Sequence, residues 1–133
     1  MLLDGLTKDE KRSFWNIANV VAAADGSISE EESILKQYTE EMGGEYEFVD
    51  PSAVDIENEL NMFNTSDLKT RKIVYFELYS VAYADTEFDV KEQELMNKIY
   101  DALEISAEDR AALEDCVKTI FGAYEKLGGI LNS

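Results

Sequence analysis

Apolar residues recur every three or four positions along most of this chain, and Pro51 is the only proline available to interrupt a helix. Apolar residues at that spacing lie along one face of an α-helix, which is buried against its neighbours. Alternating apolar and polar runs, which would indicate strands, are few. The chain of 133 residues has the length of one ordinary domain. The pattern therefore predicts a single all-α domain over residues 1–133, a bundle of about six helices.

Capping residues mark where predicted helices begin. Thr7 with Glu10 has the spacing of a capping box, in which side chain and backbone satisfy each other's hydrogen bonds at a helix start. Asp50 before Pro51 predicts the start of the third helix, because proline suits the first turn of a helix. We expect this third helix to run without a break to about Asn64.

Two glycine pairs and two very apolar segments complete the predicted bundle. The pairs at 43–44 and 128–129 predict the ends of the second and sixth helices, because glycine readily adopts the left-handed backbone that closes a helix. Residues 14–24 and 74–83, in the first and fourth helices, are apolar almost all round. Such helices are normally central, so these two are predicted to form the middle of the bundle.

Several conspicuous side chains are explained by packing and charge balance. Cys116 lies on the apolar side of the last helix and is predicted to be buried. The rings of Tyr75, Tyr79 and Tyr83, four residues apart, are predicted to lie in the core with their hydroxyls at its rim. The basic cluster at residues 69–72 is interpreted as balancing the acidic surface.

The charge of the chain excludes several classes of function. There are 29 Asp and Glu residues against 12 Lys and Arg, which gives a formal net charge of -17, and there is no histidine and one cysteine. Intramolecular disulfides, Cys/His zinc sites and imidazole-dependent catalysis are therefore excluded. Such a surface also repels nucleic acids and anionic lipids. Cations and basic proteins are the partners that remain.

The acidic residues are concentrated in one part of the sequence. Residues 25–59 contain twelve acidic residues and a single base, Lys36. This segment is predicted to face a cation or a basic partner. No stretch resembles a signal peptide or is long enough to span a membrane, and we expect a cytoplasmic protein.

Two stretches of sequence sixty residues apart match in register. Each has a carboxylate at the end of an apolar helix, a capping residue four positions later and a Glu seven positions later. These positions are Asp25, Ser29 and Glu32 in the first stretch and Asp85, Asp89 and Glu92 in the second. The repeat predicts that the two halves of the chain are related helical hairpins about an approximate twofold axis.

The paired carboxylates at the helix ends allow two interpretations. Asp25 and Asp85 oppose the helix macrodipole, which costs roughly 0.3 to 1 kcal/mol each. A hard cation such as Ca²⁺ or Mg²⁺ would explain them, because carboxylates and last-turn carbonyls supply the oxygen ligands that these ions take. Alternatively, Asp25 forms a tight turn with Gly26, and Asp85 forms the equivalent turn less well in the second stretch. The spacing is not that of an EF-hand, whose glycine stands at the sixth position of a twelve-residue loop.

The Ala24-Asp25-Gly26 turn, the Glu that follows Asp25 by seven residues, and the second such turn resemble the tellurite-resistance TerB-like family over roughly residues 9–127. The resemblance implies an all-helical, pseudo-symmetric fold and an acidic cluster that binds a divalent cation such as calcium. Carried over by position, the ligands would be Asp25, Glu32, Asp85 and Glu92, with Ser29 and Asp89 as second choices. The second turn has Thr86 where the first has Gly26.

Three hypotheses for function follow. The first is a TerB-like domain that binds a divalent cation and acts in stress or tellurite resistance. The second is a metal-free acidic module, centred on residues 30–59, that docks a basic protein. The third, an enzyme with paired carboxylates, is disfavoured because short-looped helices leave no evident substrate cleft. Tellurite itself is an oxyanion, for which so acidic a chain offers no favourable site. We therefore expect a binding protein that is not an enzyme.

Overall fold

The computed structural model describes residues 2–24, 31–44, 46–84 and 90–132, and for residues 31–33 it describes the backbone only. Over these residues the chain forms six α-helices and no strand, which confirms the all-α prediction. The helices are α1 (Lys8–Ala23), α2 (Glu31–Glu41), α3 (Ile56–Asn61), α4 (Leu68–Tyr83), α5 (Val90–Leu103) and α6 (Ala107–Leu131). Short 3₁₀ turns occur at Leu3–Gly5, Pro51–Ala53 and Met62–Thr65.

Helices α1 and α4 form the centre of the bundle, as predicted. Each contributes eight buried residues, more than any other helix of the described chain. They pack against each other, α1 also contacts α2 and α3, and α4 also contacts α2, α5 and α6. Phe14, Trp15 and Tyr75 are among the largest fully buried side chains. The two most apolar segments of the sequence thus organise the core.

The repeat in the sequence extends to the helices on either side of it. Both α1 and α4 have 16 residues, and their first residues are sixty positions apart. Their caps are also sixty apart, because the Thr7 side chain accepts from the backbone N–H of Glu10 and the Asp67 side chain accepts from that of Thr70. Helix α2 follows α1 as α5 follows α4. Each half therefore contains a 16-residue helix followed by a second helix, and the correspondence does not extend to α3 and α6.

The prediction of one continuous third helix is wrong. Asp50 caps as expected, since its side chain accepts from the N–H of Ser52, but the turn that follows ends at Ala53. Val54 is extended, with φ −92° and ψ 125°. A new helix then starts because Asp55 accepts from the N–H of Asn58 and caps it. Two capping aspartates five residues apart divide the segment.

The predicted end of the sixth helix is also wrong. Gly43 and Gly44 do close α2, with φ values of +116° and +75°. Gly128 and Gly129, however, lie within α6, which continues to Leu131. A glycine lowers the stability of a helix by about 1 kcal/mol but does not forbid it.

Cys116 is exposed, which contradicts the prediction that it is buried. Its neighbour Val117 is only 1% exposed. Helix α6 packs on α4 through a narrow face that includes Leu113, Val117 and Ile120, and Cys116 lies one position beside that face. A helix that covers the bundle from outside buries a narrower stripe than the apolar residues in its sequence suggest.

The rings of the α4 tyrosines lie in or beside the core, as predicted. Tyr75 and Tyr79 are buried and Tyr83 is half-buried, and successive rings stack with centroids 6.1 and 6.0 Å apart. The Tyr75 hydroxyl donates to Oε2 of Glu114 at 2.5 Å and accepts from Nε of Arg110 at 3.0 Å. These polar contacts, together with apolar packing, join α4 to α6.

Candidate functional site

Each predicted half-site comprises a connection, α1–α2 or α4–α5, and the first turn of the helix that follows it. Helix α1 ends at Ala23 and α2 begins at Glu31, whereas α4 ends at Tyr83 and α5 begins at Val90. The helices on both sides of these connections pack on one another, because α1, α2 and α5 all contact α4. Four of the six predicted ligands lie outside the described residues. These are Asp25, Ser29, Asp85 and Asp89.

The remaining two predicted ligands are both in first turns of helices. The backbone of Glu32 is the second residue of α2, and its side chain lies outside the described part. Glu92 is the third residue of α5, and it is 1% exposed. Burying a carboxylate is costly unless charge or hydrogen bonds compensate for it. Glu92 is thus the predicted ligand whose side chain the structure describes, and its burial has to be compensated by charge or hydrogen bonds from its surroundings.

The cluster as a whole stays a prediction. Within residues 2–24, 34–44, 46–84 and 90–132, no three Cys, Asp or Glu side chains come together in a way that could hold a metal ion. The chemistry of the predicted donors is nevertheless uniform, because carboxylates and a serine hydroxyl are all oxygen ligands. Such donors suit Ca²⁺ and Mg²⁺, and the lack of histidine in the sequence makes a zinc or copper site unfavourable.

A second buried carboxylate, Glu77 in the middle of α4, was not among the predicted site residues. Glu77 is 3% exposed, and its Oε2 accepts the backbone N–H of Leu2 at 3.3 Å. The Tyr38 hydroxyl donates to the Glu77 carbonyl at 2.9 Å. Burial raises the pKa of Tyr38 well above its usual value, and the carboxylates of Glu77 and Glu41 raise it further. The one acidic residue inside the apolar run of α4 was the available signal in the sequence.

An irregular segment at residues 46–50 is attached to α1 by two hydrogen bonds. The indole Nε1 of Trp15 donates to the carbonyl of Glu47 at 2.7 Å, and Oδ1 of Asn19 accepts the N–H of Val49 at 3.2 Å. Phe48 lies between these anchors and is 54% exposed. The backbone is thus anchored on both sides of a half-exposed aromatic side chain. The spacing of apolar residues along the sequence could not predict this position, because the segment belongs to no helix.

Phe48 lines a small apolar cavity, and the sequence on either side of it is rich in acidic residues. The cavity has a volume of about 170 Å³ and is lined by Ala22, Leu35 and Phe48, among others. Exposed acidic residues occur throughout this part of the chain, and those described are Glu40, Glu47, Asp50, Asp55 and Glu57. This part of the chain therefore carries an exposed aromatic side chain among exposed acidic residues, and aromatic side chains are enriched in protein interfaces.

Comparison with known proteins gives one match. The family described as Tellurite resistance protein TerB matches residues 34–115, which is more than half of the chain. The matched region begins in α2 and ends in α6, and it includes the second half-site but not the first. Neither the curated proteins nor the solved structures gave a match. No helix within the described residues is long and apolar enough to cross a membrane.

Proposed function

The chain belongs to the TerB family, and on that premise we propose that it binds a divalent cation, Ca²⁺ or Mg²⁺, through carboxylates of the α1–α2 and α4–α5 connections. The observation that carries this proposal is the burial of Glu92 beside the second connection. The proposed ligands are Asp25, Glu32, Asp85 and Glu92, with Ser29 and Asp89 as additional oxygen donors. The role is one of binding, and the chain performs no catalysis.

The buried position of Glu92 supports a cation for an electrostatic reason. A carboxylate that is 1% exposed is shielded from water, and its attraction to an ion with two positive charges is correspondingly stronger than it would be at the surface. The first turn of a helix also favours the charged form of a carboxylate. The net charge of -17 also attracts cations to the whole surface. Binding at the specific site must therefore be measured in salt, which screens this diffuse attraction.

The experiment is a calorimetric titration of chelator-treated protein with Ca²⁺ and then Mg²⁺, at about 0.15 M salt to screen diffuse attraction. We expect saturable binding in the parent chain. Glu92→Gln keeps the size of the side chain but removes its charge, and it should weaken binding by at least about tenfold. An Asp25→Asn, Asp85→Asn double variant should abolish binding.

A matched control separates a specific site from general acidity. Asp115→Asn with Glu125→Gln also removes two negative charges, and both positions are exposed on α6. This control should bind as the parent does. No saturable heat in the parent, or equal losses in both double variants, would overturn the cation proposal. Circular dichroism of each variant establishes that it is folded.

Biological action in tellurite resistance or another stress response would then proceed through the cation or through a protein partner. A chain of charge -17 without histidine disfavours direct binding of an oxyanion. Tellurite added in place of Ca²⁺ in the same calorimetric experiment should therefore give no saturable heat. Micromolar binding of tellurite would contradict this part of the proposal.

The exposed Phe48 favours a second candidate function, a metal-free interaction module for a basic protein. Aromatic side chains at the centre of an interface often contribute much of the binding free energy, and the exposed acidic residues near Phe48 in the sequence would favour a positively charged partner. The probe is a fluorescent peptide that contains several lysines and two leucines, titrated in the presence of a chelator. Phe48→Ala should weaken its binding at least about tenfold.

A control for this experiment is Leu68→Ala, which removes a comparable exposed apolar side chain, 43% exposed, at the start of α4. It should leave peptide binding unchanged. Equal effects of the two variants, or no peptide binding by the parent, would reject the second candidate. Peptide binding that requires Ca²⁺ would instead show that the interaction surface depends on the proposed cation site.

A further inference from the structure

Helix α6 carries a continuous apolar seam whose two halves differ in burial. Its members alternate in spacing between four and three residues, which is the heptad pattern of helices that pair side by side. They are Leu113, Val117, Ile120, Tyr124, Leu127 and Leu131. The first three pack towards α4, with Val117 only 1% exposed. The last three are 68%, 47% and 72% exposed.

The exposed half of α6 interrupts the acidic surface of the molecule. Residues 116–132 contain one acidic residue, Glu125, and two lysines, Lys118 and Lys126, whereas the whole chain has 29 acidic and 12 basic residues. The positions that flank the exposed seam carry no charge. They are Phe121, Ala123, Gly128 and Ile130. Here a second strongly acidic molecule could approach with the least repulsion.

A groove opens beside the same seam, between α2, α4 and α6. Its volume is about 390 Å³, and its lining includes Ile34 from α2, Phe76 from α4 and Phe121 from α6. Tyr124 lines the groove and is also the first member of the exposed half of the seam. Gln37, Glu77 and Ser80 also line the groove, so the helix end and the groove form one continuous surface that is mostly apolar.

We propose that two copies of this chain form a symmetric dimer in which the exposed halves of α6 pair antiparallel along the seam. An arrangement centred on Leu127 brings Leu131 of one copy opposite residue 123 of the other, at the mouth of the groove lined by Tyr124. The same patch then serves both copies, as a twofold interface requires. The antiparallel direction separates the two bodies, each of charge -17, whereas a parallel pair would bring them side by side.

The extent of the exposed surface is consistent with a dimer. The exposed side chains at 124, 127, 130 and 131 offer on the order of 500 Å² on each copy, which places a pair near the lower limit of specific interfaces. Contact with the groove adds to that area. The exposed half of the seam in one copy would pack against the same half in the other copy. The heptad pattern that packs the first half of α6 on α4 continues through this exposed half. This dimer does not depend on the proposed cation.

The test is sedimentation equilibrium of the full chain over a range of concentrations up to several hundred micromolar. We expect the mass to rise from 15.0 kDa towards twice that value. Leu127→Glu should raise the dissociation constant at least about tenfold, because it places a charge in the seam. Thr119→Glu adds the same charge at an exposed position of α6 outside the seam and should leave the constant within about threefold of the parent's.

Salt and a distance measurement provide two further readouts. Since apolar contacts join two acidic molecules, raising the salt concentration should strengthen the dimer. The only cysteine, Cys116, is exposed, and spin labels on it should lie on the order of 30 Å apart in the antiparallel pair. A chain that stays monomeric, equal effects of the two glutamate variants, weaker association at high salt, or labels in close proximity would overturn the proposal.

Discussion

The guanidinium of Arg71 donates from Nη1 to the backbone carbonyl of Leu103 at 2.9 Å, which joins the first turns of α4 to the last turn of α5. The same nitrogen donates to the carbonyl of Glu104 at 3.2 Å, and Nε donates to that of Ser66 at 3.3 Å. The last carbonyls of a helix lack intrahelical partners, and a positive charge there also complements the macrodipole. Arg71 thus acts as a tertiary cap, a role that its place in a basic cluster did not reveal.

Arg71→Gln should lower the free energy of unfolding by about 1–3 kcal/mol, because it leaves partly buried carbonyls without their charged donor. Urea unfolding followed by circular dichroism measures the loss. Lys69→Gln removes the same charge two residues earlier, at an exposed position, and should change stability by less than about 0.5 kcal/mol. Equal losses in the two variants would show that only the net charge matters.

Glu104 has a left-handed backbone, with φ at +52°, at the end of α5. Glycine adopts this conformation without the steric cost that a side chain incurs. Glu104→Gly should therefore raise the free energy of unfolding by about 0.5–1 kcal/mol. Asp101→Gly, three residues earlier inside the helix, should lower it by about 0.3 kcal/mol, because glycine is a poorer helix former than aspartate. Thermal unfolding of both variants measures the contrast, and destabilisation by both would contradict it.

The sequence was sufficient to predict the features that depend on local chemistry. The capping box at Thr7 and the glycine pair that closes α2 lie where expected, because each satisfies backbone groups within a few residues. Helices α1 and α4 are central because an all-round apolar helix needs cover on every side. The extension of α6 through Gly128 could not be predicted in this way, because helix formation tolerates glycine when no other structure competes.

Burial and the site depend on packing that the sequence does not specify. The spacing of Glu92 from Asp85 suggested a ligand, but its near-complete burial follows from how α5 packs in the bundle. The exposure of Phe48 depends on two hydrogen bonds to α1 from an irregular segment. Periodicity does not encode such long-range contacts, and the acidic cluster therefore remains a prediction.

Cys116 and Val117 are adjacent on α6 and should respond oppositely to substitution. Cys116→Ser, at an exposed position, should change the free energy of unfolding by less than about 0.5 kcal/mol. Val117 is 1% exposed, and Val117→Ala leaves a cavity in its place, which should lower the free energy of unfolding by about 1–3 kcal/mol. Urea unfolding measures both. Ellman's reagent should also modify Cys116 in the native protein almost as fast as in denaturant, and strong protection would contradict the exposed position.

Tyr79 should make the protein less stable at alkaline pH. Burial, followed by the nearby Glu114 carboxylate, raises the pKa of Tyr79 from 10.0 to about 12. The unfolded chain therefore loses this proton first, so the stabilisation is complete below pH 10 and is lost as the pH rises towards 12. Urea midpoints measured across this range should fall less steeply for Tyr79→Phe than for the parent. Tyr124→Phe, at a position 68% exposed, should follow the parent, and identical slopes in all three proteins would contradict the assignment.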